Sequence, residues 1–332
     1  MATHLSATGA ENGPRPLVEV LEESDRATEP KRVMPTGFNP LDRVLDGGLH
    51  TRNLTVVAGS PGAGKTITCL QWARDLAHDG HRVIYACYEH DETTLLTRLL
   101  RLEMGEIPAD ERLGEQGLVA KSVLKRLGAG EVRMSEALQE SDMLHRAYLS
   151  MQSYANDLWL LAASGTTTTV ETLIAMVGSD TDALFVDYIQ KVPLDEGYRD
   201  EAEGVTVVTQ ALKELAMAKN IAVVAIAAST RSGLEAHRLR IHHLRGSSAV
   251  AYEADVVLVL NDKFDVVSKS QMAHDMGNVE RFKNQLVFSV EKNRDGEDNV
   301  DLEFDKLFDY MRVDPEGATV QDRLIDDHLV TE

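Results

Sequence analysis

The sequence predicts an α/β fold in which a mainly parallel β-sheet is covered by helices on both faces. Short runs of apolar and β-branched residues recur along the chain, and such runs are typical of strands buried on both faces. Segments with helical apolar spacing alternate with them, as parallel strands require, because each crossover usually returns through a helix. Hydrophobic residues make up 43% of the 332 residues, enough for a substantial core.

The individual elements follow from the same patterns. Apolar runs predict strands at 54–58, 82–89, 158–162, 183–187, 221–227 and 256–260. Turn-separated runs predict closing strands at 286–292, 299–306 and 308–313. Helical spacing predicts helices at 67–77, 93–155, 170–177 and 205–220, and a further short helix is expected to begin near Pro40.

Composition divides the chain into a leader, a core and a tail. Residues 1–34 are polar and expected to be mostly disordered, and the apolar residues from Leu17 to Leu21 predict either a short docking helix or incidental apolar positions. Residues 35–313 carry the predicted strands and form one domain. Residues 314–332 hold six acids and one arginine, so we expect a loosely attached, solvated acidic tail.

Composition also argues against a membrane protein and against a protein that coats nucleic acid. No window approaches the ~18 unbroken apolar residues of a membrane span, and the first residues lack a secretion signal, so we expect a cytoplasmic location and no membrane partner. The formal charge is -20, from 54 acidic and 34 basic residues, which leaves room only for a local basic channel. Cys69 and Cys87 lie in apolar segments, which favours packing over a disulfide or metal site.

The stretch after the first of these strands has the residue types of a phosphate-binding loop. It matches G-x-x-x-x-G-K-[ST] in full, with Gly59, Ser60, Pro61, Gly62, Ala63, Gly64, Lys65 and Thr66. Lys65 can supply a positive charge for the β and γ phosphates of a nucleotide, and Thr66 can ligate Mg²⁺. The alternative, a glycine-rich turn that only joins strand to helix, is disfavoured because the match stands in its required strand, loop and helix context.

Two acids end predicted strands and are candidate catalytic residues. Glu89 and Asp187 both stand at carboxyl ends, where open α/β sheets bind their ligands. Glu89 can orient or deprotonate the water that attacks the γ phosphate, and Asp187 fits the carboxylate that holds Mg²⁺ opposite Thr66. For Glu89 the alternative is a solvated loop acid, since Asp91 and Glu92 follow closely; for Asp187 it is an ordinary strand end.

Residues 229–245, here called the basic segment, concentrate positive charge in an acidic chain. They include one acid, Glu235, three histidines and four arginines: Arg231, Arg238, Arg240 and Arg245. We expect the four arginines to contact the phosphates of single-stranded DNA. If the protein forms a ring, they would line its central channel. The alternative is that they pair with the protein's own carboxylates. His242 and His243 lack suitably spaced acids or cysteines for a metal site.

Together these stretches resemble the ATPase domain of DnaB-type replicative helicases, within the RecA, RadA and KaiC superfamily, over about residues 35–313. The resemblance is carried by TGFNPLDRVLDGGL before the loop, AGSPGAGKT, the strand that ends in Glu89, LFVDYIQ at 184–190, LKELAMAKNIAVVAIA at 212–227, LRGSSAVAYEADVVLVL at 244–260 and EKNRDG at 291–296. It implies a RecA-like P-loop NTPase fold, ATP and Mg²⁺ as cofactors, and a homo-oligomer in the form of a hexameric ring.

The last of these motifs implies a site shared between subunits. In the family a K-x-R pair from one subunit reaches the γ phosphate held by the next, so the resemblance assigns this role to Lys292 and Arg294. A planar, multidentate guanidinium suits the charge that develops on a transferred phosphoryl group. Without the resemblance, Lys292 and Arg294 would be interpreted as exposed charges at a turn.

Three features depart from the family pattern. Ala228 stands where the family usually has a glutamine that couples the γ phosphate to the nucleic-acid loops, and alanine has no side-chain hydrogen bond to offer. Residues 195–203 contain five acids and one arginine, the wrong sign for gripping DNA. We also expect the amino-terminal domain with which replicative helicases engage primase to be missing.

Three functional hypotheses follow. The first is a ring-forming, Mg²⁺-dependent ATPase that binds single-stranded DNA and translocates on it. The second is an ATPase similar to KaiC or RadA that remodels a basic protein partner recruited by the acidic surface. The third is a scaffold that binds ATP without hydrolysing it.

Overall fold

The computed structural model describes residues 14, 16–24, 31–194, 201–267, 277, 279–322 and 324–325. The chain divides into two compact units, residues 1–32 and 33–332. In the first unit, helix α1 (Leu17–Ser24) forms at the predicted apolar cluster and leaves its large apolar side chains exposed. Residues 1–13 and 25–30, for which disorder was predicted, lie outside the described residues.

The strands of the second unit form at the predicted apolar runs, with small shifts at their ends. They are β1 (Val33–Met34), β2 (Leu49–His50), β3 (Leu54–Gly59), β4 (Val83–Cys87), β5 (Leu158–Ala162), β6 (Ala183–Asp187), β7 (Ala222–Ala228), β8 (Val256–Asp262), β9 (Gln285–Asn293), β10 (Val300–Leu307), β11 (Arg312–Val313) and β12 (Ala318–Thr319).

Ten of these strands, within the part of the chain that the structure describes, form one sheet in the order β11-β10-β9-β8-β3-β7-β6-β4-β5, with β12 paired to β10. The strands from β8 to β5 in this order run parallel, and β9 and β10 extend the sheet antiparallel. The predicted fold class, a mainly parallel RecA-like sheet between helices, is confirmed. In register, Gly59 lies opposite Ala228 on one side and Leu260 on the other, so the carboxyl ends of three strands meet.

The helices of the second unit cover both faces of this sheet. They are α2 (Asn39–Val44), α3 (Lys65–His78), α4 (Glu92–Glu106), α5 (Ala109–Arg112), α6 (Glu115–Gly128), α7 (Met134–Glu140), α8 (Asp142–Gln152), α9 (Val170–Met176), α10 (Glu201–Lys219), α11 (Arg231–Glu235), α12 (Ser247–Glu253), α13 (Lys263–Val266) and α14 (Val279–Lys283). Within the described ranges, no helix has the length and apolar character needed to cross a membrane.

Each face of the sheet has its own core. On one face, Trp72 of α3 is fully buried and meets Phe38 edge-on, with ring centroids 5.8 Å apart. On the other face, apolar residues of α9 and α10 pack with the alternate side chains of the same strands. The predicted helical region 93–155 is divided into α4 to α8, which surround a third cluster together with Tyr310.

The structure differs from two expectations near the carboxyl terminus. The predicted strand at 308–313 is reduced to Arg312–Val313, because Phe308–Tyr310 form a turn of 3₁₀ helix. The first part of the acidic tail is attached to the domain rather than loose: β12 pairs with Leu302 and Glu303 of β10. Residues 326–332 lie outside the described residues.

A fully buried ammonium explains part of this attachment. Lys263 has no exposed surface, and its Nζ contacts Asp322 of the tail at 2.7 Å, Gln285 at 3.0 Å and also Glu303. The carboxylates of Glu303 and Asp322 are themselves largely buried. Burying a cation between two acids is tolerated only while all three charged groups remain paired, because an unpaired buried charge strongly destabilises the fold.

Replacing Lys263 with methionine should therefore destabilise the fold by about 3 kcal/mol or more, because two buried carboxylates lose their cation. The measurement is urea unfolding at neutral pH. Lys121→Met is the matched control, since Lys121 pairs with the exposed Asp309 and its loss should cost less than about 1 kcal/mol. Equal, small effects of both substitutions would contradict the structural role of Lys263.

Candidate nucleotide-binding site

The phosphate loop joins β3 to α3 at the carboxyl edge of the sheet. Gly64 precedes the helix in a left-handed conformation with φ of +89°, and a Cβ at this position would lie 2.6 Å from a ring atom of Phe308. Only glycine therefore fits without rearrangement. Because α3 begins at Lys65, its first unpaired N–H groups and the positive end of its dipole lie where the loop would hold an anion.

Lys65 folds back over the loop. Its Nζ donates hydrogen bonds to the carbonyl oxygens of Gly59 at 2.8 Å and Ser60 at 2.9 Å. Burial lowers the pKa of Lys65, and the negative charge of Asp187 offsets part of that shift. The ammonium is thus held by neutral carbonyls, which a phosphate oxygen could replace with a stronger, charge-assisted bond.

A cavity of about 410 Å³ opens beside the loop. This volume is within the range of small-ligand sites. Besides the loop and the start of α3, its polar lining comes from the ends of β4 and β6 and from α4, and these residues are Glu89, His90, Arg98, Asp187 and Tyr188. Residues far apart in sequence therefore converge on one space.

Asp187 and Thr66 lie together in this cavity. Asp187 is almost fully buried, and the Tyr85 hydroxyl donates to its Oδ2 at 3.0 Å. Burial raises the pKa of Asp187, whereas hydrogen bonds with Thr66 and Tyr85 act in the opposite direction. A hydroxyl and a carboxylate in contact are oxygen donors that suit Mg²⁺ when phosphates complete its shell. Among the described residues no cluster of three or more His, Cys, Asp or Glu could hold a metal ion without such help.

Glu89 follows β4 and lines the same cavity as the phosphate loop. Its side chain is partly exposed, and its Oε1 lies 3.5 Å from Nζ of Lys191. An acid that can both reach water and face the phosphate positions is suited to orient or deprotonate a nucleophilic water. Its catalytic role stays a prediction.

Three cavity or supporting residues were missed by sequence reasoning. Arg98 of α4 donates from Nη2 to Nε2 of His90 at 2.8 Å, and burial, with the nearby guanidinium, lowers the pKa of His90, which keeps this nitrogen available as an acceptor. Tyr85 is the third, through its bond to Asp187. No local pattern distinguishes Arg98 from the solvated arginines of a charged helix, or Tyr85 from any other buried strand residue.

The structure does not bring Lys292 and Arg294 into this cavity. Lys292 pairs in register with Val257 near the amino end of β8, whereas the phosphate loop follows the carboxyl end of β3. Lys292 donates to the carbonyl oxygens of Ala251 and Ala254, and Arg294 donates to the carbonyl of Tyr252 at 2.8 Å. Both cations therefore bind the carboxyl end of α12, where a helix dipole favours positive charge.

Arg294 is further held by Asp255, which lies 3.1 Å from its Nη1. Asp255 is buried and also accepts a hydrogen bond from Lys213 at 2.6 Å. Arg294 nevertheless keeps 47% of its side chain exposed. The arrangement places a positioned guanidinium on the surface at the edge of the sheet opposite the cavity.

The basic segment fits the DNA prediction only in part. Arg238 is 7% exposed and pairs with Asp301 at 2.5 Å, and Arg240 pairs with Glu291 at 2.6 Å. These two arginines follow the alternative interpretation, because each neutralises a carboxylate of the protein's own sheet. The prediction of Arg238 as a DNA contact is therefore corrected, whereas Arg231 and Arg245 lie on the surface. Of the acidic stretch 195–203, residues 195–200 lie outside the described residues.

Comparison with known proteins identifies the family of this chain. The family model of the DnaB-like helicase C terminal domain matches residues 33–312. The replicative DNA helicase DnaB of Treponema pallidum (strain Nichols) is 26% identical over 247 residues, which cover 74% of this chain and 51% of that protein. The DnaB of Rickettsia bellii (strain RML369-C) is 24% identical over 261 residues, 74% of this chain and 48% of that protein. The chain spans about half the length of these curated relatives.

Among solved structures, the ATPase domain of G40P is similar with a TM-score of 0.65 and 19% identity, over 90% of this chain and 96% of that chain. This degree of identity shows a shared fold and no more.

Replacing Lys65 with methionine should weaken ATP binding roughly tenfold to a hundredfold, because charge-assisted bonds to the phosphates are lost. Titration with a fluorescent ATP analogue in the presence of Mg²⁺ measures the effect. Lys125→Met, on the exposed face of α6, is the control and should bind as the unaltered protein does. Unchanged affinity in the Lys65 variant would show that the nucleotide does not bind at this loop.

Proposed function

This chain belongs to the family of DnaB-like helicase C-terminal domains, and we propose that it is a Mg²⁺-dependent ATPase that assembles into a hexameric ring and translocates on single-stranded DNA. The observation that carries the proposal is the convergence of Lys65, Thr66, Glu89 and Asp187 on one cavity. These four residues provide a phosphate ligand, two metal-ligating oxygens and a general base. The relatives that match most of the chain are replicative DNA helicases by name.

Each residue has a distinct task in this mechanism. Lys65 and the loop N–H groups bind the β and γ phosphates, and Thr66 and Asp187 would hold Mg²⁺, which neutralises charge on the phosphates. Glu89 orients the attacking water and accepts its proton. Tyr85 orients the Asp187 carboxylate through its hydrogen bond, which acts against the rise in the pKa of Asp187 that burial causes.

The position of Lys292 and Arg294 supports a site shared between subunits. They lie at the amino edge of β8, away from the cavity of their own chain, so a role in hydrolysis requires the nucleotide of a neighbouring copy. In a ring, each copy can present its Arg294 to the next. Hydrolysis would then depend on assembly, because an isolated chain lacks the cation that stabilises the transferred phosphoryl group.

Single-stranded DNA would be met by the exposed part of the basic segment. Arg231 and Arg245 are the exposed arginines of the segment and the proposed phosphate contacts, while Arg238 and Arg240 fix the segment to β9 and β10. Two arginines per subunit, repeated around a ring, give a row of positive charge that suits a strand of phosphates.

The second candidate is an ATPase that remodels a basic protein partner. The observation that favours it is charge: the chain has a formal charge of -20, and carboxylates of the sheet neutralise Arg238 and Arg240 of the basic segment. A strongly acidic surface steers basic partners toward it. The variant Glu89→Gln distinguishes a third candidate, a scaffold that binds ATP without hydrolysing it. In such a scaffold the substitution would cause no drop in ATP turnover, because the unaltered protein has no turnover to lose.

The two candidates predict different responses to DNA. For a DNA motor, single-stranded DNA at low salt should raise ATP turnover several-fold, and the effect should weaken as salt screens the phosphate contacts. Turnover is measured with and without DNA, alongside the mass of the assembly. DNA-independent turnover with no DNA bound, and capture of a stoichiometric basic protein, would select the remodelling ATPase instead.

Mixing two inactive variants tests the shared site. Arg294→Ala should reduce turnover by roughly a thousandfold or more, as expected for the loss of a phosphoryl-stabilising arginine. Glu89→Gln should also abolish turnover. In mixed rings purified through two different tags, about a quarter of the sites should combine an intact Glu89 with a neighbour's intact Arg294 and recover activity.

Arg126→Ala in α6, where the half-exposed Arg126 pairs with Glu140, is the control for removing an arginine and should leave turnover unchanged. Mixed rings without recovery, or full activity in a monomer, would show that Arg294 does not complete a neighbouring site.

A further inference from the structure

Gln190 joins the loop after β6 to the end of β7. It lies in the 3₁₀ turn Ile189–Lys191, three residues after Asp187, and its Oε1 accepts a hydrogen bond from the backbone N–H of Ala228 at 3.1 Å. Its Nε2 is buried and has no hydrogen-bond partner among the described residues. A buried donor without a hydrogen-bond partner lowers the stability of the fold by about 1–3 kcal/mol. Its presence here therefore indicates a functional role for the Gln190 amide.

The contact continues into the basic segment. The carbonyl of Ala228 accepts the backbone N–H of Arg245 at 3.1 Å, and Nε of Arg245 donates to the carbonyl of Ser229 at 3.1 Å. A β-bridge between Ser229 and Leu244 holds the two ends of the segment together. Ala228 is therefore bound on its N–H side by Gln190 and on its C=O side by the exposed end of the basic segment.

This chain of bonds begins beside the nucleotide cavity. Ala228 itself lines the cavity, and Gln190 follows Asp187 within one short turn. Because Ala228 has no polar side-chain atom, any hydrogen-bonded link through the end of β7 must use its backbone. Gln190 is the side chain that holds that backbone N–H.

We propose that Gln190 is a positioning residue that transmits the nucleotide state of the cavity to the basic segment through the backbone of Ala228. A displacement of the turn after Asp187 moves the Gln190 amide, which moves Ala228 and with it the backbone of Arg245. The proposal rests on the proposed nucleotide binding and does not require that the partner of the basic segment be DNA. Coupling of this kind appears as a change at the basic segment when nucleotide binds in the cavity.

Hydrogen exchange measured by mass spectrometry provides that readout. Mg²⁺ with a slowly hydrolysed ATP analogue should slow amide exchange in residues 59–66, which reports binding, and should change exchange in residues 229–245 by roughly tenfold at its most affected amides. In Gln190→Met, which has similar length and no hydrogen-bonding amide, the change at 229–245 should disappear while protection of 59–66 remains. A residue with only a structural role would not separate these two signals.

Two further variants keep the test decisive. Gln139→Met, on the exposed face of α7, is the matched control and should retain both signals. In Gln190→Asn the amide is one methylene too short to reach the Ala228 N–H, so the exchange change at 229–245 should disappear as in Gln190→Met. This variant replaces Gln190→Met in the test if the methionine variant fails to fold. Thermal unfolding of each variant checks that the domain is intact.

The outcomes separate this inference from the proposed function. If nucleotide protects 59–66 but leaves 229–245 unchanged in the unaltered protein, or if the Gln190 variants keep the full change at 229–245, the role of Gln190 is overturned and nucleotide binding stands. If 59–66 gains no protection in the unaltered protein, nucleotide binding at the loop fails, and the role of Gln190 fails with it.

Discussion

The parallel pairing of β3 between β7 and β8 is the constraint on which the rest of this structure depends. It aligns the carboxyl ends of neighbouring strands, so the residues that follow each strand meet at one edge of the sheet. The phosphate loop, Glu89 and Asp187 come together for this reason, although they lie far apart along the chain. Strands buried on both faces can hold such a register only with near-continuous apolar sequences, and β3, β7 and β8 have them.

The same sheet separates two groups of positive charge. Lys65 and Arg98 lie at the carboxyl edge, in the cavity, whereas Lys292 and Arg294 lie at the amino edge of β8, bound to the end of α12. A parallel strand cannot bring its two ends together, so no rearrangement of side chains would unite these groups within one copy. This polarity is the physical basis for proposing that catalysis is completed between copies.

The surplus of acidic residues engages several arginines in ion pairs within the protein. Arg74 is shared by Asp75, Glu103 and Glu106, and Arg238 is taken up by Asp301. Ion pairs of this kind remove arginines from the surface, so the positive charge available to a polyanion is smaller than the sequence count suggests. Within the basic segment, Arg238 and Arg240 anchor the backbone to β9 and β10 through these ion pairs.

By itself, the sequence determined the fold class, most strands, the phosphate-loop motif and the place of Asp187 at the end of a strand, because each is encoded by local periodicity or by a contiguous motif. Glu89 was predicted to end a strand and instead follows β4, which ends at Cys87. It assigned 308–313 to a strand and 314–332 to a loose tail, since a local pattern does not reveal that Lys263 lies buried beneath Asp322. Only the tertiary structure decided that Arg238 is internal, that Arg98 reaches the cavity, and that Gln190 holds the end of β7. These facts depend on which distant side chains meet across the sheet, and the register of the strands, rather than the order of the residues, sets those meetings.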